Sequence, residues 1–253
     1  MTTDTRPKIC SRKISIEGRE VSISGMAKGS GMIRPDMATL LVFLATDASI
    51  EFDLLEDILH HSVDRSFNRV TIDSDTSTND SCMLSATHLS EVQIAKGSES
   101  LRQFSAAMDE VCVELAKGIV KDGEGASKFI EVKVENGNDT NECLTIAYSV
   151  AESPLVKTAM YASDANWGRI LMAVGKAGVQ DLDVAKVSIY LEDVCIVRCG
   201  ERDERYREEM GAAVMANEEI IVRIDLGRGE TTESVWTSDL SHEYVRINAE
   251  YRT

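Results

Sequence analysis

No apolar run in this sequence approaches the roughly 20 residues needed to span a bilayer, which excludes a transmembrane helix. The opening Met1-Thr2-Thr3-Asp4-Thr5-Arg6-Pro7 also lacks the apolar core of a secretory signal peptide. The expectation is a soluble, cytoplasmic protein, with an organelle-targeting peptide left open should the N-terminus be missing. Positive charge is short as well: 27 Lys and Arg stand against 43 Asp and Glu, a formal charge of −16, which equips the chain poorly for binding polyanions. Nucleic acid is therefore not an expected partner, and neither is a membrane. Among the six cysteines (Cys10, Cys82, Cys112, Cys143, Cys195, Cys199) there is no Cys-x-x-Cys pair. Several lie inside apolar patterns, so reduced, buried thiols are expected rather than disulfides. Cys195 and Cys199 flank a strand end with no histidine nearby, and no metal site is expected there. Internal repeats and low-complexity segments are absent, and 253 residues suffice for one large or two modest domains with a real core.

What is present centres on Gly25-Met26-Ala27-Lys28-Gly29-Ser30-Gly31-Met32-Ile33-Arg34-Pro35-Asp36-Met37-Ala38-Thr39, which runs into the apolar Leu40-Leu41-Val42-Phe43-Leu44-Ala45. Three glycines within seven residues permit backbone conformations closed to other residues, and the run behind them has the composition of a buried strand. Thr39 stands at the seam. A self-cleaving precursor places its nucleophile there: once the Ala38–Thr39 bond is cut, hydroxyl and α-amine sit on one residue. An unperturbed α-amine of pKa roughly 7.7–8.0 can take the hydroxyl's proton near neutral pH. The same loop can instead cradle a phosphate or turn a corner, although the P-loop pattern is missing, because no Gly-Lys-Ser/Thr follows four residues after a glycine.

Along the chain, residues 8–16 and 20–24 alternate apolar and polar around Glu17-Gly18-Arg19 and predict a hairpin. Asp47-Ala48-Ser49 reads as a helix start, and Leu54, Leu55, Ile58, Leu59 and Val63 predict an amphipathic helix over 50–66. Val70-Thr71-Ile72 reads as a short strand that delivers the polar run from Asp73 to Asp80. That run fails the EF-hand pattern, having no glycine at the sixth position and no glutamate at the twelfth, and is read as a hydrogen-bonded loop and helix cap. Leu101, Phe104, Met108, Val111 and Leu115 mark a long helix ending near Lys121-Asp122-Gly123. Glu124 lies in the turn behind it, at the entrance of an alternating strand over 129–134, facing either solvent or a site. Helices are expected over 142–161 and after Asp164-Ala165-Asn166-Trp167-Gly168, strands at 186–191, 194–198 and 219–225, and a charged helix at about 203–216. Without regular βαβ alternation, this argues for an α+β layered fold, helices outside a mainly antiparallel or mixed sheet.

Taken together these stretches resemble the ornithine acetyltransferases of arginine biosynthesis, also called glutamate N-acetyltransferases or the ArgJ family. The resemblance rests on Met1-Thr2-Thr3-Asp4-Thr5, Gly25 to Ile33, Met37-Ala38-Thr39, Asp73 to Asp80, Glu124-Gly125-Ala126, Ala165-Asn166-Trp167-Gly168-Arg169-Ile170 and the closing Leu240 to Thr253. They occur in family order over the whole chain. The resemblance implies the α+β layered sheet-and-helix fold of the ArgJ and DmpA-like self-processing class, and a precursor cut between Ala38 and Thr39. Residues 1–38 would then be the C-terminal part of an α chain, and 39–253 a β chain with Thr39 as its N-terminal nucleophile. It further implies transfer of acetyl from N-acetylornithine to glutamate through acetyl-Thr39, with ornithine released, acetyl-CoA as an alternative donor substrate, and no cofactor or metal. By position, Thr2, Lys28, Thr39, Glu124, Asn248 and Thr253 correspond to substrate-binding residues, and an α2β2 heterotetramer is the implied assembly.

Three departures accompany the resemblance. Asp36 stands where the family usually has asparagine, and Ser74 where it has glycine. In the family, moreover, an upstream portion carries the Thr-Gly pair of the oxyanion hole, and this chain has no counterpart. It therefore looks like an N-terminally truncated member or the second piece of a split one. The competing readings are an N-terminal-nucleophile aminopeptidase or amidase that gives the acyl group to water, and an inactive truncated subunit.

Overall fold

A computed structural model of the chain describes residues 3–34 and 40–250. Thr2, Ala38, Thr39 and Thr253 lie outside the described residues, as does the expected chain boundary between 38 and 39. The polypeptide divides into two compact units, one up to Gly123 and one from Glu124.

The first unit opens with the expected hairpin, strands β1 (Lys8–Ile16) and β2 (Arg19–Lys28), paired antiparallel with Ile16 opposite Arg19. The two-residue turn Glu17-Gly18 takes positive φ at both positions (52° and 77°), whose twist matches that of the flanking strands. Strand β3 (Leu41–Thr46) follows, then the short β4 (Ser49–Ile50) and helix α1 (Phe52–Asp64). The helix thus begins later than Asp47-Ala48-Ser49 suggests, because Ser49 and Ile50 pair with a distant strand. Next come the short β5 (Val70–Thr71), β6 (Ser81–Ala86), β7 (Gln93–Ile94) and helix α2 (Glu99–Lys121). The polar run 73–80 leads into β6 rather than capping a helix, which corrects that part of its reading. The main sheet of this unit has the order β1-β2-β3-β6, with β3 and β6 parallel.

Helix α2 starts at Ser98, whose side chain accepts from the Leu101 N–H, and covers one face of β1 and β2. Its buried stripe of Phe104, Met108, Val111, Leu115 and Ile119 falls at helical spacing, and the inward residues Val21, Ile23, Val42 and Leu44 of the sheet are likewise buried. Gly25 permits the close approach, since a Cβ there would stand 2.6 Å from Leu44 and 2.8 Å from Leu115. On the opposite face, Ile9, Met26, Phe43 and Met83 form one cross-strand row in register, each 47% exposed or more.

The second unit contains β8 (Phe129–Gly137), α3 (Thr140–Ala151), α4 (Pro154–Tyr161), α5 (Trp167–Gly175), β9 (Ser188–Leu191), β10 (Val194–Arg198), β11 (Glu201–Arg202), α6 (Glu208–Met215), β12 (Glu219–Asp225), β13 (Thr231–Ser238) and α7 (His242–Glu250). Its strands run in the order β11-β10-β9-β12-β8-β13, with β12 and β8 parallel and the other neighbours antiparallel. The helix expected over 142–161 is two helices. Pro154, which has no N–H and holds its predecessor out of the helical region, forces the break at Ser153. The charged helix starts only at Glu208, and β13 carries no alternation by which the sequence announces it. Helix α3 packs across β8 and β13, and Val132, Val134, Ile146, Val150, Ile170, Ile220, Val222 and Val235 join one core. Helices against a mixed sheet constitute the α+β layering read from the sequence. Among the described residues no helix is long and apolar enough to cross a membrane.

Candidate functional site

Lys28 is the last residue of β2, and the glycine segment begins immediately after it. Gly29 departs at φ 149° and Met32 sits at φ 56°, so the chain turns through conformations that a strand cannot hold. Two aspartates pin this turn. The Gly29 N–H donates to Asp4 Oδ1 at 2.8 Å. The Met32 and Ile33 N–H groups donate to the two oxygens of Asp73 at 2.6 and 2.9 Å. The Thr76 hydroxyl reaches the Arg34 carbonyl at 2.9 Å, and the Ile72 N–H the Ile33 carbonyl at 2.8 Å. The polar run 73–80 is therefore the clamp of the glycine loop, satisfying backbone donors that the irregular path leaves unpaired. Ser74, the departure from the family's glycine, adopts φ 68°, a conformation glycine takes at no steric cost.

Behind the loop lies a buried ion triad that sequence reasoning missed. Lys8 Nζ stands 2.7 Å from Asp4 Oδ1 and 2.5 Å from Asp122 Oδ2, with all three side chains 3% exposed or less. Asp122, at the C-terminus of α2, also accepts from the Thr5 N–H and hydroxyl and from the Arg6 N–H. Burial pushes both carboxyls up, but the Lys8 ammonium and the hydrogen bonds outweigh it and hold Asp4 and Asp122 below the ordinary carboxylate range. Thr3 Oγ1 lies 2.6 Å from Ser30 Oγ. The opening Thr-Asp-Thr is thereby fastened to Gly29 and Ser30 on one side and to α2 on the other. Lys8 and Asp122 gave no signal of their own in the sequence; Asp4 at least lies within a motif.

In the second unit, Glu124 and Asn248 meet although 124 residues separate them. Asn248 Nδ2 donates to Glu124 Oε2 at 2.7 Å and to the Tyr244 carbonyl at 3.0 Å. Asn248 rides on α7, which Ser241 caps by accepting from the Glu243 and Tyr244 N–H groups at 3.1 and 3.3 Å while its hydroxyl donates to the Gly125 carbonyl at 2.6 Å. Gly125 has φ 67°, and a Cβ on it would lie 2.4 Å from the Tyr244 nitrogen, so turn and helix fit only with glycine there. Asp239 fixes the other end of the turn, accepting from the Ser127 and Lys128 N–H groups at 2.8 and 2.9 Å. Chemically, Glu124 and Asn248 offer a half-buried carboxylate beside an exposed amide, a pair suited to an ammonium and a neighbouring polar group. Asn166, from the Asn-Trp-Gly motif, caps α5 through the Arg169 N–H at 3.1 Å.

A clamped glycine loop ending a strand at a lysine, and a glutamate turn locked to a C-terminal helix, place this molecule among α+β proteins that set polar side chains on turns at strand ends. The ArgJ family model matches residues 1–253, and the chain belongs to that family. The chain is 54% identical over 256 residues to an arginine biosynthesis bifunctional protein ArgJ of Pseudomonas fluorescens (strain Pf0-1), and 55% identical over 258 residues to that of Pseudomonas syringae pv. tomato. All of this chain is covered in both cases, but only 63% of each relative. Among solved structures, the arginine biosynthesis bifunctional protein argJ of Bacillus halodurans matches with a TM-score of 0.79 and 36% identity, over 83% of this chain and 98% of that one.

Proposed function

We propose that this chain carries the self-cleaving, acetyl-transferring part of an ornithine acetyltransferase. The observation that supports it best is the double anchoring of Gly29, Met32 and Ile33 by Asp4 and Asp73, in the segment that precedes Ala38 and Thr39 in the chain. In this reading Thr39, freed at its α-amine by cleavage after Ala38, attacks the acetyl carbonyl of N-acetylornithine. The α-amine takes the hydroxyl proton and returns it to the departing ornithine nitrogen, leaving acetyl-Thr39. The glutamate amine then attacks that ester, and its proton passes back through the same amine to the threonine oxygen. Lys28 pairs with a substrate carboxylate, Glu124 with the ammonium of the amino acid, and Asn248 donates and accepts beside it, with Thr2 and Thr253 completing the set. Two easier steps replace one amide-to-amine transfer, and ping-pong kinetics follow.

Acetyl-CoA is an alternative acetyl donor in this proposal, in keeping with the word bifunctional in the relatives' names. No cofactor or metal is invoked. Since the relatives are longer than this chain, an upstream segment is the proposed source of the oxyanion donors, and an α2β2 heterotetramer the proposed assembly. The test is Thr39→Ala, followed by intact mass and by transfer from N-acetylornithine to glutamate. Loss of both cleavage and transfer is expected, and a cut between residues 38 and 39 in that variant would remove Thr39 from its role.

A further inference from the structure

The connection from β13 to α7 is built almost wholly of buried polar residues: Thr237, Ser238, Asp239 and Ser241 are each 6% exposed or less. Connections ordinarily lie at the surface, and polar side chains shut away from water are costly unless paired. Here they are paired on two sides. Toward the candidate site, Asp239 accepts from the Ser127 and Lys128 N–H groups, while Ser241 donates to the Gly125 carbonyl and caps α7. Behind the connection stands α4. Its Lys157, 4% exposed, donates from Nζ to Thr237 Oγ1 at 2.8 Å and to the Ser238 carbonyl, and its own carbonyl accepts from the Leu240 N–H at 3.2 Å. Lys157 thus grips the chain on both sides of Asp239. One helical turn further along α4, the Tyr161 ring meets that of His242, the first residue of α7, edge to face with centroids 5.6 Å apart. An ammonium withdrawn from water carries a desolvation cost that an apolar side chain of similar length avoids, so what Lys157 adds is its donors.

We infer that Lys157 is a positioning residue of this site: by fixing residues 237–240 it sets where Asp239 and Ser241 hold the Glu124 turn and α7, and so how Glu124 meets Asn248. The inference rests on the proposed role of that pair in binding the amino acid. Glu124 and Asn248 belong to separate segments whose side chains meet at 2.7 Å. The turn is held by both Asp239 and Ser241, whereas α7 is capped by Ser241 alone, so a displaced connection moves turn and helix unequally. Lys157 touches neither Glu124 nor Asn248 in any of the contacts given above; it acts through the chain that carries them. Charge-assisted hydrogen bonds to an ammonium depend on distance and angle, so a loosened pair is expected to lose about tenfold in affinity.

The test compares Lys157→Met, Glu124→Ala and Ile189→Ala in the full chain. Ile189 is a core residue of β9, which β12 and β8 separate from β13, and its truncation destabilises the same unit away from the connection. Without ligand, the side-chain amide resonances of Asn248 are followed by 15N NMR, Glu124→Ala marking where they fall once the carboxylate is gone. Lys157→Met is expected to move them toward that position, and Ile189→Ala to leave them at the native one. Resonances that stay in place in Lys157→Met, or move equally in both variants, overturn the inference. Calorimetric titration with glutamate is expected to show affinity about tenfold weaker in Lys157→Met and within about twofold of native in Ile189→Ala. Equal losses in the two would make Lys157 a residue of the fold alone. Native protein that binds no glutamate overturns the reading of Glu124 and Asn248 and the inference with it; the ligand-free resonances distinguish that failure from a failure of the Lys157 link. Should Lys157→Met not fold, Thr237→Val, which keeps the shape and the lysine but removes one acceptor of its ammonium, is read in the same way. A smaller shift in the same direction is expected there, and no shift overturns the inference.

Discussion

Replacing Lys8 by methionine is the sharpest perturbation of the framework behind the glycine loop. Methionine fills much of the lysine's volume but carries no charge, so the change strands the Asp4 and Asp122 carboxylates opposite each other, each with a side chain 2% exposed. Removing one partner of a buried ion pair costs about 3–5 kcal/mol, because the remaining charge keeps its desolvation penalty and loses its compensation. For a chain of this length each kcal/mol lowers Tm by about 2–4 °C, so a drop on the order of 10 °C is expected at pH 7. The pH dependence has a definite sign. Asp4 and Asp122 are held below the ordinary carboxylate range, so their contribution is fully present above the unfolded-state pKa and is lost as pH falls through the native one. The gap between native and variant protein therefore narrows toward pH 3. Adding Asp122→Asn to Lys8→Met should recover part of the loss, since one stranded charge disappears. Thermal melts followed by circular dichroism at pH 7 and at acid pH read all three outcomes. A Tm within about 2 °C of the native value at pH 7, or a gap that widens on acidification, would refute the reasoning.

Gly125→Ala should cost about 1–3 kcal/mol and loosen α7, because the left-handed turn and the backbone at Tyr244 both exclude a Cβ. Amide hydrogen exchange is expected to show lost protection over 243–250, with α3 unaffected. Glu124→Gln should weaken glutamate and ornithine recognition at least tenfold through KM while shifting Tm little, since the half-buried turn loses a charge and keeps an acceptor for Asn248. An unchanged KM for both amino acids would show that Glu124 serves only to hold α7.

Elements with a strong apolar period were legible from the amino acids alone. The β1–β2 hairpin and α2 follow their alternating and helical patterns, because each presents one face to a core and the other to water. Strands β6 and β13 were not. Every second residue of β6 is exposed and the rest are only half-buried, and the first half of β13, Thr231-Thr232-Glu233-Ser234, is polar throughout, so neither shows the contrast a pattern needs. The break at Ser153-Pro154 was written in the proline, yet the apolar spacing on both sides masked it.

At the candidate site the division is similar. Thr39, Lys28, Glu124 and Asn248 came from motifs and their resemblance to a family, which name residues without saying what they touch. That Asp73 clamps Met32 and Ile33, that Asn248 locks onto Glu124, and that Lys8 joins Asp4 to Asp122 are facts of tertiary structure. A polar side chain carries no periodic record of its partner, and a pair such as Lys8 and Asp122, 114 residues apart, meets only after β1 and α2 have packed. Burial then turns a surface-type lysine and two aspartates into a triad that must stay intact, a consequence of low local dielectric that no single residue in the chain expresses.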